Sequence, residues 1–105
     1  IRDRDKVARH LAEQRLSAWQ LLEGLRAALA TDGDTLLQRD ECAALEQGMD
    51  ELQSLIEGED AAAIKAATER LGRHSEAFAA RRMDRSIRDA LAGVSLDELD
   101  SEVGE

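Results

Sequence analysis

The sequence contains no proline, one cysteine and only two aromatic residues, Trp19 and Phe78. β-Branched residues are also few. A chain this poor in β-branched and aromatic side chains has little from which to build a sheet. With a single cysteine, Cys42, no internal disulfide can form. That fits a reducing compartment, so a cytoplasmic location is expected. No apolar run approaches the ~20 residues that cross a bilayer as a helix. The N-terminus, IRDRDKVARH, is charged and lacks the apolar region of a signal peptide. Positive charge is short as well: 14 Lys and Arg stand against 23 Asp and Glu, a net −9. Phosphate backbones and anionic lipid repel such a chain, so neither nucleic acid nor membrane is an expected partner.

What remains is rich in alanine, leucine, glutamate and arginine, the strong helix formers. The 105 residues suffice for one small domain. Much of the apolar fraction is alanine, so the core is expected to be thin and built mainly from leucine.

The apolar spacing predicts three helices and a tail. The first runs from about Asp3 to Ala30, where Leu11, Ala18, Leu22, Leu25 and Leu29 recur at helical intervals and Arg15 interrupts the row. Val7 extends the row upstream, and Trp19 and Leu21 widen it in the second half. The second half belongs to a core. The polar first half is either solvated or covers something outside this chain. The chain opens at Ile1 without a clear N-cap, as a piece of a longer protein would. Thr31-Asp32-Gly33-Asp34 reads as a helix stop, with Gly33 free to take the left-handed conformation. Its carboxylates do not make a calcium loop. Leu36, Leu37 and Ala43 stand where an oxygen ligand, the glycine and the closing glutamate belong. A capped, solvated turn is expected.

The second helix runs from about Gln38 to Glu57, with Leu45, Met49, Leu52, Leu55 and Ile56 as its stripe. Gly58 ends it, and Asp60 is a good N-cap for the third. A link this short joins antiparallel helices. In the third helix Ile64, Ala67, Leu71, His74 or Ser75, and Phe78 alternate at spacings of three and four. On propensity it continues to about Ala92 and stops at Gly93. Ser95-Leu96-Asp97-Glu98 then forms a capping box for one further short turn. Residues Asp100 to Glu105 are expected to form an acidic, frayed tail. The expected fold is all-α: an antiparallel three-helix bundle with a long third helix.

That third helix changes face. At 100° per residue, Met83 lies about 140° round from Phe78, and Ile87 and Leu91 continue its row with Ala90 and Val94 in support. Straight, the helix would be roughly 45 Å long against about 30 Å for the second. Its overhang can bend near 79–82 and fold back, pair with a second copy, or dock elsewhere on a larger protein. Met83, Ile87, Leu91 and Val94 are therefore the candidate interaction surface, and self-association of the isolated chain is expected.

No catalytic constellation is visible, and this chain is not expected to be an enzyme. His10 and His74 are single, and His74 reads as a core-edge side chain. No Glu-x-x-His pair supplies di-iron ligands, and no glycine-rich loop cradles phosphate, so no metal-binding or cofactor-binding residues are assigned. Cys42 reads as a small, buried or half-buried residue flanking the core stripe. Arg81, Arg82, Arg85 and Arg88 form the one basic cluster. Asp84–Arg88 and Arg85–Asp89 stand at i, i+4, so a salt-bridged helix surface is expected there.

Two stretches carry a family resemblance. GEDAAAIKAATERL, Gly58 to Leu71, resembles the turn between late helices in the C-terminal lid of the seventy-kilodalton heat-shock chaperones, the DnaK type. FAARRMDRSIRDALAGVSLDEL, Phe78 to Leu99, is more specific: it is similar to the C-terminal segment of HscA, the branch devoted to iron–sulfur cluster assembly. LAEQRLSAWQLLEGLRAALATDGDTL, Leu11 to Leu36, resembles the long lid helix of that branch and the turn after it. The resemblance implies that residues 1–99 are a lid subdomain. It would close over a peptide-binding β-domain in a parent whose ATPase domain, with ATP and magnesium, lies outside this chain. It further implies an iron–sulfur scaffold protein and a J-type co-chaperone as partners. The alternatives are the lid of a general DnaK-type chaperone and a free-standing dimeric helical adaptor.

Overall fold

The computed structural model describes the backbone of residues 2–93 and the side chains of residues 4–93. All the elements among them are helical: α1 (Arg2–Ala28), a π-helical turn (Leu29–Gly33), α2 (Asp34–Leu36), α3 (Arg39–Ile56), α4 (Ala61–His74) and α5 (Glu76–Ala92). The second half of α1 packs with α3 and α4 as an antiparallel three-helix bundle. The described chain is elongated, about 68 × 34 × 17 Å.

The core follows the apolar spacing closely. Ala18, Leu22, Leu25 and Ala28 of α1 meet Leu45, Met49, Leu52 and Ile56 of α3 and Ile64, Ala67 and Leu71 of α4, and Phe78 closes one end. Leu22, Leu52 and Ile64 are wholly enclosed. At Gly48 the α3 backbone passes so near α4 that a Cβ there would lie 3.0 Å from Leu71 Cδ1. Arg15, the interruption in the α1 stripe, has a structural use. Its Nε donates to the Ile56 carbonyl at 3.0 Å and its Nη2 to the Gly58 carbonyl at 2.7 Å, satisfying the exposed C-terminal end of α3. Asp60 caps α4 as expected, its Oδ1 accepting from the Ala63 N–H at 3.1 Å. At the start of α3, the Gln38 N–H donates to Glu41 Oε1 at 3.0 Å.

Two boundaries differ from the sequence reading. Thr31 to Asp34 does not stop the first helix. The chain widens into a π-helical turn and completes one more α-turn before Leu37 becomes extended, at φ −119° and ψ 146°. Gly33 has φ −56°, so the need for glycine is spatial and not conformational. A Cβ at this position would press on Leu29 Cδ2 at 3.3 Å, with Cys42 Sγ at 3.8 Å. The other difference is in the long third helix, which breaks once, at Ser75, and not at 79–82. Ser75 sits at φ −90° and ψ −3°, and its hydroxyl donates to the Gly72 carbonyl at 2.9 Å. A side-chain bond to a nearby carbonyl offers the backbone an alternative to continuous helix. Ser75, not His74, is the buried member of the stripe, and His74 is exposed.

Candidate interaction surfaces

The two ends of the bundle are built differently. At one end, Arg15 is anchored to the α3–α4 turn, so the part of α1 before it runs on past the bundle. Residues 4–10 are all exposed, Val7 among them at 67%. At 1.5 Å per residue this arm reaches roughly 20 Å. His10 lies on it, exposed and far from His74. Leu11, partly buried against the core, marks where the arm enters the bundle. Further along α1, Trp19 remains partly exposed, with the Arg26 guanidinium 5.6 Å from its ring centroid.

At the other end, α5 leaves the core after Phe78 and is held by arginines. Arg82 Nε donates to Asp32 Oδ2 at 2.8 Å, and Arg85 Nη1 to Asp32 Oδ1 at 2.6 Å. One carboxylate in the π-helical turn thus receives two guanidinium groups. Arg81 Nη1 donates to both the Leu36 carbonyl and Glu41 Oε1, each at 3.0 Å. Glu41 is held below the usual carboxylate range by the Arg81 hydrogen bond and by the Gln38 N–H, and Arg81 is raised in return.

This latch corrects two expectations. The turn at Asp32 is not solvated: Asp32 is buried, at 8% exposure, and is the anchor of α5. The arginines are not chiefly partnered along their own helix, where Arg85–Asp89 is a loose pair at 3.9 Å. Arg81, Arg82 and Arg85 reach instead to residues 40 to 53 positions earlier. No local pattern could have signalled such partners.

Beyond the latch α5 runs free. Every residue from Ser86 to Gly93 is exposed. Met83, Ile87 and Leu91 are 67%, 52% and 54% exposed, so within the described residues the overhang does not fold back over the bundle. Val94, the fourth residue of the candidate surface, lies outside the described residues, as do the Ser95–Glu98 capping box and the acidic tail.

The remaining features are structural. Cys42 is half-buried, and its thiol donates to the Gly33 carbonyl at 3.6 Å. Burial raises its pKa, and Glu46, Asp34 and Glu41 raise it further, so the thiolate is disfavoured. Among the described residues no three His, Cys, Asp or Glu side chains converge as metal ligands, and no helix is long and apolar enough to cross a membrane. A shallow groove of about 280 Å³ runs between α1 and the α4–α5 junction, lined by Leu21, Gly24, Leu25, Phe78 and Ala79 with Arg82 at its edge.

No protein-family model matches the chain. Individual proteins do. It is 49% identical over 96 residues to a chaperone protein HscA homolog of Pseudomonas fluorescens, covering 91% of this chain and 16% of that protein. With the HscA homolog of Photobacterium profundum it shares 52% over 95 residues, covering 90% and 15%. With that of Cupriavidus taiwanensis it shares 50% over 97 residues, covering 92% and 16%. The chain thus spans about one-sixth of the length of the curated relatives it matches.

Proposed function

Because the chain belongs to the HscA chaperone family, we propose that it is the helical lid of a peptide-binding chaperone, a lever that slows the escape of a bound client. The observation that carries this reading is the near-50% identity running through nine-tenths of the chain to a limited part of each relative. The shape of the molecule supports it. A bundle fixed to the end of a rigid helical arm, whose other half is polar and exposed, suits an element that lies across a neighbouring domain. The neighbour would be the parent's own β-domain.

The lid contributes no catalytic group. It acts by obstruction: a closed arm must lift before a peptide leaves, so it changes the off-rate more than the chemistry of the peptide site. In the parent, ATP binding in a separate domain would open the lid and hydrolysis would close it. The client would be the iron–sulfur scaffold protein, delivered with a J-type co-chaperone, in the cytoplasm.

Deleting residues 1–105 from the longer parent tests the reading. Peptide release, followed by fluorescence anisotropy, is expected to accelerate while basal ATP hydrolysis is largely retained. Unchanged release overturns the lid function. An immunoblot of source cells with an antibody against this chain is expected to show a band several-fold heavier than 11.5 kDa. A band at 11.5 kDa leaves a free-standing helical adaptor instead.

A further inference from the structure

We propose that the free half of α5 is a contact surface for a second copy of this chain, in which the two helices run antiparallel about a dyad at Ser86. The inference goes beyond the lid reading and does not depend on it. It rests on α5 alone.

On a helix of 100° per residue, Met83, Ile87 and Leu91 lie roughly 140°, 180° and 220° round from Phe78. Phe78 points into the core and Arg82 and Arg85 hold the bundle on nearly the same side, so the apolar stripe faces directly away from the chain's own bundle. A second molecule can therefore reach it without meeting the first bundle. All three side chains are more than half exposed, and their four-residue spacing makes one of the ridges by which helices interlock.

The charges select the orientation and the register. Asp84 and Arg88 each follow a stripe residue by one position, so they line one flank. Both are exposed, and neither takes part in an ion pair among the described residues. Ser86 and Ala90 line the other flank and are small enough for close approach. An antiparallel dyad brings like flanks together. With the dyad at Ser86, Asp84 comes level with the second copy's Arg88, and Arg88 with its Asp84. In that same register Met83 falls midway between the copy's Ile87 and Leu91, and Ile87 midway between the copy's Met83 and Ile87, so the apolar ridges interleave. A parallel pairing would set Asp84 and Arg88 against Ser86 and Ala90 and satisfy neither charge. Although the whole chain is strongly acidic, α5 carries Arg81, Arg82, Arg85 and Arg88 against Glu76, Asp84 and Asp89, so two α5 helices meet without strong repulsion.

Sedimentation equilibrium on the 105-residue chain, from micromolar to millimolar concentration, tests the proposal. The expected mass is twice 11.5 kDa. Ile87→Asp is expected to give monomers with unchanged helix content by circular dichroism, because Ile87 contributes nothing to the core. Asp84→Arg is expected to weaken the dimer about tenfold, since it turns two attractive pairs repulsive. The double variant Asp84→Arg, Arg88→Asp is expected to restore it. A monomeric wild-type chain overturns the proposal. If that chain dimerises only after removal of residues 94–105, the occupant of the stripe is its own C-terminal segment, which also overturns it. A dimer that Ile87→Asp leaves intact, or one that the double variant does not restore, overturns the surface or the register.

Discussion

Arg82 and Asp32 stand 50 residues apart in sequence and 2.8 Å apart in space, and Arg85 joins the same carboxylate at 2.6 Å. This shared carboxylate fixes the direction in which α5 leaves the bundle. Asp32 is nearly enclosed, its side chain 12% exposed, while the two arginines remain 43% and 41% exposed. The carboxylate therefore depends on its partners more than they depend on it.

Replacing Asp32 with alanine is expected to release α5 with little effect on the three-helix core. Two charge-assisted hydrogen bonds are lost, but the arginines regain water, so the cost should be about 1–3 kcal/mol. Hydrogen exchange checks this: amides of residues 80–92 should exchange faster, and those around Leu22, Leu52 and Ile64 should change little. Uniform loss of protection would mean that α5 and the bundle unfold as one unit.

Glu41 gives the same junction a pH dependence. Its pKa is lowered in the folded chain, first by the Arg81 hydrogen bond and then by the Gln38 N–H. A lowered carboxylate contributes stability above its unfolded value, and that contribution is lost as pH falls through the folded value. Stability should be level near neutrality and decline once the pH drops below the ordinary glutamate value of 4.5. Glu41→Gln should remove its share of the slope, as read from urea midpoints at pH 3, 4, 5 and 7 taken as about the window of interest.

Core truncation should be severe, because the core is thin. Ile64 is wholly enclosed between α1 and α3. Ile64→Ala is expected to cost about 2–5 kcal/mol, a large part of the stability of a domain this size. Thermal denaturation followed by circular dichroism at 222 nm, about the helix minimum, reads the loss directly.

The glycines should divide into two groups. Gly24 is exposed near the C-terminal end of α1, still inside the helix, and a Cβ there meets nothing within 4 Å. Gly24→Ala should therefore stabilise the chain by about 0.5–1 kcal/mol. Gly48→Ala gains the same helix propensity but forces Leu71 to shift from the 3.0 Å contact, so its net effect should be smaller or unfavourable. Chemical denaturation of the two variants side by side distinguishes propensity from packing.

Cys42 should react slowly with alkylating reagents at neutral pH, because burial and three acidic neighbours raise its pKa. The rate of iodoacetamide labelling should climb with pH later than that of a free cysteine in an unfolded peptide. A rate equal to that of the peptide would mean that the contact with the Gly33 carbonyl opens readily.

The sequence by itself determined the helical class, the helices of the bundle and nearly every core residue. Those features follow from spacing: the stripe from Leu45 to Ile56 and the row from Ile64 to Phe78 repeat every three or four residues, and burial of such a row is a local consequence of helix geometry. It also marked Met83, Ile87 and Leu91 as belonging to a different face. The tertiary structure decided what joined distant segments. Asp32 reads as a turn residue because nothing nearby in the chain tells that Arg82 and Arg85 will come to it, and Gly33 reads as a left-handed stop because its crowding by Leu29 and Cys42 exists only in the folded chain. Ser75 was legible as part of the stripe, whereas its role as the break was not, since propensity favours continuing the helix and the gain from bending lies in contacts 40 to 53 residues away. Periodicity reports which face a residue occupies, and only packing reports what that face meets.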